Sequence, residues 1–243
     1  MFVMQFMKSV VVIIVLLLHS SLAIAELSVE YGVSEYAKGN TDKALEIFKS
    51  VKNELGAANY YIARMYYYGE GVSRDLNKAI RYFSKSSEYG NIKSSSELGT
   101  LYIFNEEYRD VNKGVELLKI SALSGDLDSS INLGDLFYAG KYIECDYEQA
   151  LSYYAMAALR GHPRSQFMIA TMYKKGLGVP KDKKKFMYWL NKSANSNFPN
   201  SLYLLGLYYR YGINVIKDRG KGVQYLERAA ALGDKNAINE LNK

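Results

Sequence analysis

One cysteine, Cys145, and two histidines, His19 and His162, are all that 243 residues offer of two side chains much used to hold zinc or to attack a carbonyl. A zinc site built from Cys and His, and a Cys–His nucleophilic pair, are nearly excluded on that count. A single thiol permits no disulfide within the chain, so the fold must hold by packing, and Cys145 is either free or a link between two chains. Prolines number three. Two of them, Pro163 and Pro199, stand where helices are expected to begin, a position that tolerates a missing amide. No Gly-Lys-Ser/Thr follows Gly176-Leu177-Gly178, so that glycine pair is not a phosphate loop. No nucleic-acid motif is present.

The apolar run Val10 to Leu18 is too short to cross a bilayer, although Met1 to Met7 could lengthen it into an anchor. Lys8 precedes this run, and Ala23 and Ala25 stand just before Glu26. That order reads as a secretory signal peptide, residues 1–25, cut after Ala25 for export to the periplasm or beyond. Glu26 in place of Cys argues against a lipoprotein anchor. Removing Lys8 takes the formal charge from +6 to +5, a mild excess that favours an acidic partner or a membrane surface without specifying either. Much of the excess sits in Lys174, Lys175, Lys181, Lys183, Lys184 and Lys185, read as a solvated loop and helix start or as an anionic-ligand site.

What the chain has in abundance is repetition. The steps Ile62-Ala63, Leu98-Gly99, Leu133-Gly134, Ile169-Ala170 and Leu205-Gly206 recur every 35 or 36 residues. Aromatics follow in step at Tyr66, Tyr102, Phe137, Tyr173 and Tyr209, and aspartates at Asp75, Asp110, Asp146, Asp182 and Asp218. Self-similarity at this period is the mark of a helical solenoid, in which each unit buries its apolar face against the next. In the unit 57–90 a first helix over 57–68 places Ile62, Ala63 and Tyr66 on one stripe. A glycine-rich turn follows, Asp75 caps a second helix carrying Ala79, Tyr82, Phe83 and Ser86, and Gly90 ends it. Gly99, Gly134 and Gly206 recur at one register although glycine inside a helix costs about 1 kcal/mol, so close helix approach is expected there. Five units are expected at 57–90, 91–125, 126–161, 162–197 and 198–233, within a repeat domain 57–236. A capping hairpin at 26–56 precedes them. A capping helix at 234–243 follows, with Ala237, Ile238 and Leu241 inward and Lys235, Asn236, Asn239, Glu240 and Lys243 in water.

Leu-Gly-x-x-Tyr, then Tyr-Gly-x-Gly-Val, then Asp-x-x-Lys-Ala resembles the Sel1-like repeats, relatives of the tetratricopeptide repeat. The pattern is clearest at Tyr68-Gly69-Glu70-Gly71-Val72 with Asp75-Leu76-Asn77-Lys78-Ala79, and at Lys175-Gly176-Leu177-Gly178-Val179 with Asp182. The resemblance covers residues 57–236 and, more weakly, the chain from residue 27. It implies an all-α, right-handed solenoid of stacked helix–turn–helix units with no cofactor. The paired cysteines of some family members are missing, and the turns at 99–110 and 140–146 lack the full Gly-x-Gly.

The resemblance also implies that the first helix of each unit lines a concave side. Aligned on the Leu-Gly step, that side carries Tyr60, Arg64, Tyr67, Tyr68, Thr100, Ile103, Phe104, Asp135 and Tyr138. It continues through Phe167, Thr171, Lys174, Lys175, Tyr203, Leu207, Arg210 and Tyr211. Tyrosine and arginine on such a face suit protein contact, and the alternative for each of the 23 tyrosines is packing between units. His162, in a turn before Pro163, reads as solvated. The expectation is a non-enzymatic, exported scaffold or adaptor that binds a protein partner. Its rivals are an immunity protein blocking a secreted toxin such as a phospholipase, and a cell-wall hydrolase.

Overall fold

The computed structural model describes residues 28–243, so the expected signal segment lies outside the described residues. Within them the regular secondary structure is helical. The order is α1 (Val29–Ala37), α2 (Thr41–Ser50), α3 (Leu55–Tyr68), α4 (Leu76–Glu88), α5 (Ile92–Phe104), α6 (Val111–Leu123) and α7 (Leu127–Ala139). It continues with α8 (Tyr147–Leu159), α9 (Pro163–Lys175), α10 (Lys183–Asn195), α11 (Pro199–Tyr211), α12 (Arg219–Ala231) and α13 (Lys235–Leu241). Helices pack in consecutive pairs, most extensively α3 with α4, α7 with α8, α9 with α10 and α11 with α12. The chain divides into two compact units, one ending at Leu101 and one spanning Tyr102–Lys243.

The two most regular marks of the sequence turn out to be hydrogen-bonded to each other. The amide of each repeat aspartate donates to the carbonyl of the repeat aromatic: Asp75 to Tyr66 at 2.9 Å, Asp110 to Tyr102 at 2.8 Å, Asp146 to Phe137 at 3.0 Å, Asp182 to Tyr173 at 3.1 Å and Asp218 to Tyr209 at 2.9 Å. Each aspartate carboxylate then accepts the amide three residues on, at Lys78, Lys113, Gln149, Lys185 and Lys221. One residue thus closes the turn with its backbone and starts the second helix with its side chain. That third position is lysine wherever the aromatic is tyrosine, and its ammonium lies over the ring: Lys78 on Tyr66, Lys113 on Tyr102, Lys185 on Tyr173, Lys221 on Tyr209. Opposite Phe137 the residue is Gln149, bonded instead to Asp146.

Small residues set the spacing within each pair. A Cβ on Gly134 would stand 2.6 Å from the Tyr154 ring, and one on Gly222 would stand 2.6 Å from the backbone nitrogen of Arg210. Ala63, Ala79, Ala150 and Ala170 are fully buried at the same contacts. Between successive pairs the buried small residues are serines in several repeats and alanines, Ala157, Ala229 and Ala237, in others. Ser86 donates to the Gly56 carbonyl and accepts from Ser94, joining α3, α4 and α5. Ser193 does the same with Pro163 and Ser201, joining α9, α10 and α11. No buried hydroxyl in either set is left without a partner, which removes the usual cost of burying it.

First helices carry a capping register of their own. Asn91, Asp126, His162 and Asp234 accept the amide three residues on, while Phe198 offers no side-chain cap. His162 is therefore a half-buried cap and not a solvated turn residue. Asn197 closes the fourth repeat with φ of 56°, where the other repeats use glycine.

Buried carboxylates hold both ends. Glu35 on α1 is 4% exposed and accepts from Lys38 at 2.8 Å and Asn40 at 2.9 Å, with Lys43 at 3.4 Å. On α13 the expected solvent face is corrected: Glu240 is 4% exposed, and Ile238 is 42% exposed. Glu240 turns inward because Arg210, Tyr211 and Lys243 converge on it, Arg210 donating to its carbonyl oxygen at 2.8 Å and Lys243 to its carboxylate at 2.8 Å.

Candidate functional site

The expected contact residues separate by burial. Ile103 has no exposed surface and belongs to the core shared by α6, α7, α8 and α9. Tyr60 is 8% exposed, packed on Phe83 and Tyr61. Arg210 is 8% exposed and turned to Glu240. These three serve the interior, because the helix they share with exposed neighbours turns their phase toward the next pair. Thr100 and Thr171 donate to carbonyls of their own helices, Ser96 and Phe167. Tyr203 and Leu207 pack at the edge of the α9–α12 core, and Phe167 meets Phe198 at 5.5 Å.

In the unit ending at Leu101, Arg64, Tyr67 and Tyr68 on α3 form a small, partly exposed patch above the buried Tyr60. Arg64 lies 5.8 Å from the Tyr60 ring centroid and 5.4 Å from that of Tyr68, and its Nε has no hydrogen-bond partner. Tyr67 meets Tyr68 edge to face at 4.9 Å, and Tyr68 is exposed.

The unit Tyr102–Lys243 holds a better-formed site. Phe104, Asn132, Asp135, Leu136, Ala139, Lys141 and Tyr142 line a cleft of 430 Å³. Its wall is the stripe Asn132, Asp135, Leu136 and Ala139 along α7, one helical face at spacings of three and four. Phe104, exposed at the end of α5, meets Tyr142 edge to face at 5.4 Å. Lys141 and Arg109 hold their charges 4.9 and 5.6 Å from the same ring, which makes the rim cationic. Behind the cleft, Arg164 from α9 clasps Asp135 with two bonds at 2.9 and 3.0 Å. The buried Tyr154 hydroxyl donates to the same carboxylate at 2.6 Å. Burial first, and then the Asp135 charge, push the Tyr154 phenol far above its ordinary value, so it stays a donor. Asp135 is thereby a fixed point joining three helices.

Of the expected residues, Phe104 and Asp135 are brought together in this cleft. Tyr138 lies beside it, edge to face on Tyr147 and Tyr154. Lys174 covers Phe186 and Tyr208, Lys175 is exposed in the last turn of α9, and Tyr211 points to Glu240. The sequence reading missed Asn132, Leu136 and Ala139, which extending the Asp135 stripe by one turn each way would have found. Tyr142 and Arg164 carry no such signal, since a turn residue and a helix start join the site only through packing.

The chemistry available is that of binding. Among the described residues no group of three or more His, Cys, Asp and Glu side chains is placed to hold a metal ion. A second, larger hollow of 830 Å³ lies beside α6 and the start of α8, where Glu116, Glu144, Asp146 and Glu148 give it acidic walls and Cys145 is an exposed free thiol. Asp146 is held below its ordinary value by the Gln149 amide and spent on the helix start.

Five stretches of the chain, residues 56–91, 96–126, 127–162, 163–198 and 199–234, match the Sel1 repeat model. Among solved structures, a Sel1 repeat protein from Oxalobacter formigenes is 27% identical, with a TM-score of 0.74 over 88% of both chains. A protective antigen of uropathogenic Escherichia coli with the same repeat fold is 23% identical, at a TM-score of 0.72 over 88% of this chain and 50% of that one. An immunity protein of Pseudomonas aeruginosa is 21% identical, at 0.42 over 76% and 68%. No curated protein matches the sequence.

Proposed function

Because the chain belongs to the Sel1 repeat family, whose solenoids are scaffolds, we propose that it is a non-enzymatic adaptor that binds a protein partner on its first-helix face. The observation that carries this reading is the cleft of Phe104, Tyr142, Asn132 and Asp135. An aromatic slot with a polar wall and a cationic rim takes one apolar side chain of a polypeptide beside an acidic one. The Arg64–Tyr68 patch of the other unit is a further contact of the same chemistry. The N-terminal pattern ending at Ala25 supports export, and mass spectrometry of the mature protein should find Glu26 at its start.

The test is affinity capture from the periplasm with the wild type and with Phe104→Ala combined with Tyr142→Ala. Phe104 is exposed and Tyr142 is half-buried at the edge of the core, so the double variant should keep the wild-type circular dichroism with a small drop in melting temperature while losing at least tenfold in partner recovery. Equal recovery by the two proteins removes the cleft from the interface.

A further inference from the structure

The turn edge of repeats four and five is set apart from the rest of the molecule by charge and by one side chain. Over 174–185 and 211–221 the acids are Asp182 and Asp218, and both carboxylates are spent on helix starts. Against them stand the exposed Lys175, Lys181, Lys183, Lys184, Lys217 and Arg219. The ion pairs of the Tyr102–Lys243 unit lie elsewhere, at Arg109, Arg164, Arg210 and Lys243. The preceding turn has the opposite sign, with Glu144, Asp146 and Glu148, so the basic edge is bounded.

From this edge Ile216 projects with 91% of its surface exposed, and Ile213 with 43%. Counted back from the capping aspartate, the positions equivalent to 216 in the other repeats are Ser73, Tyr108, Glu144 and Pro180, so the turn does not require an aliphatic residue there. Asn214, at φ of 60°, takes the left-handed conformation that Gly71 and Gly178 take in their turns. A Cβ on Gly178 would lie 2.6 Å from the backbone of Tyr147, at the start of the preceding repeat's second helix. Ile213 and Ile216 therefore stand beside the exposed Lys217 and Arg219, on a turn whose one acid, Asp218, is spent on a helix start.

We propose that this edge docks peripherally on an anionic lipid surface, Ile213 and Ile216 entering the headgroup layer while the lysines and Arg219 meet lipid phosphates. Charge complementarity favours lipid over an acidic protein, because a fully exposed aliphatic tip gains from an apolar layer and nothing from carboxylates. This goes beyond the partner-binding reading and uses none of the cleft residues.

The test mixes the purified full chain with vesicles of phosphatidylcholine alone or with about a third phosphatidylglycerol, and measures co-sedimentation. The gain on adding the anionic lipid is the readout, because the apolar run Val10–Leu18 contributes to both. The wild type should gain about a hundredfold or more, and high salt should abolish the gain. Lys181→Ala with Lys184→Ala should remove most of it, at about fivefold per lysine, and Ile216→Ser should weaken binding to the anionic vesicles roughly fivefold. Phe104→Ala should leave the gain untouched, which separates this proposal from the cleft. An equal gain in all variants overturns it. So does binding to polyglutamate without a preference for anionic vesicles, which would assign the edge to an acidic protein.

Discussion

His162 caps α9 through Nδ1, which accepts the Ser165 amide at 3.2 Å and faces the Ser165 hydroxyl at 2.9 Å. Only the neutral ring with its proton on Nε2 can do this. Burial, and next the Arg164 charge, lower its affinity for a proton below the ordinary 6.5. The cap is complete above that pH, and stability declines as pH falls below it, since the unfolded chain takes the proton first. His162→Asn keeps an acceptor without a titration, so its melting temperature should change less than the wild type's between pH 7 and pH 5. An equal slope would show that the histidine is not responsible.

Glu35 acts at a lower pH. Lys38, Asn40 and Lys43 hold its carboxyl at about 2, below the ordinary 4.5. Its contribution is present above pH 4.5 and fades as pH drops toward 2. Denaturant unfolding of Glu35→Gln should therefore lose the steepest part of the wild-type decline over that window. At this same scale Asn197 takes a left-handed backbone that costs most residues about 1–2 kcal/mol, and its side chain accepts from Arg228 at 2.8 Å.

At the scale of elements, the helix pair is the unit that the sequence states most plainly. Its capping aspartates, closing glycines and apolar stripes are local signals, and each marks the element it belongs to. The tightness of a pair depends on particular contacts. In α11 and α12 the backbones approach so closely that Gly222 has no room for a methyl group beside Arg210. Gly222→Ala gains about 1 kcal/mol of helix propensity and meets a backbone that cannot rotate away. The expected result is a net loss of about 1–3 kcal/mol in denaturant unfolding. Gly220→Ala, whose Cβ would meet only the Asp218 carboxylate at 3.6 Å, should be neutral or stabilising.

At the scale of the whole molecule, the most extensive helix contacts within each unit join neighbours in sequence, so a local lesion should stay local. Hydrogen exchange of Gly222→Ala should quicken in α11, α12 and α13 and stay at wild-type rates in α3 and α4. Uniform acceleration would mean that the chain unfolds as one cooperative body.

The period, the helix pairs, their caps and the family were legible from residue order, because capping and amphipathic spacing act within a few positions of the chain. The candidate site was only partly legible: Phe104 and Asp135 stood in the expected stripe, but Ile103, Tyr60 and Arg210 stood there too and are buried. Residue order sets the direction of a side chain relative to its own helix. Whether that direction meets water, a neighbouring helix or a buried carboxylate depends on how the pairs stack. Tertiary structure alone decided that Glu240 turns inward, that Arg164 fixes Asp135, and that Tyr142 closes a cleft with Phe104. Each joins residues from different helices, where separation in sequence no longer measures distance.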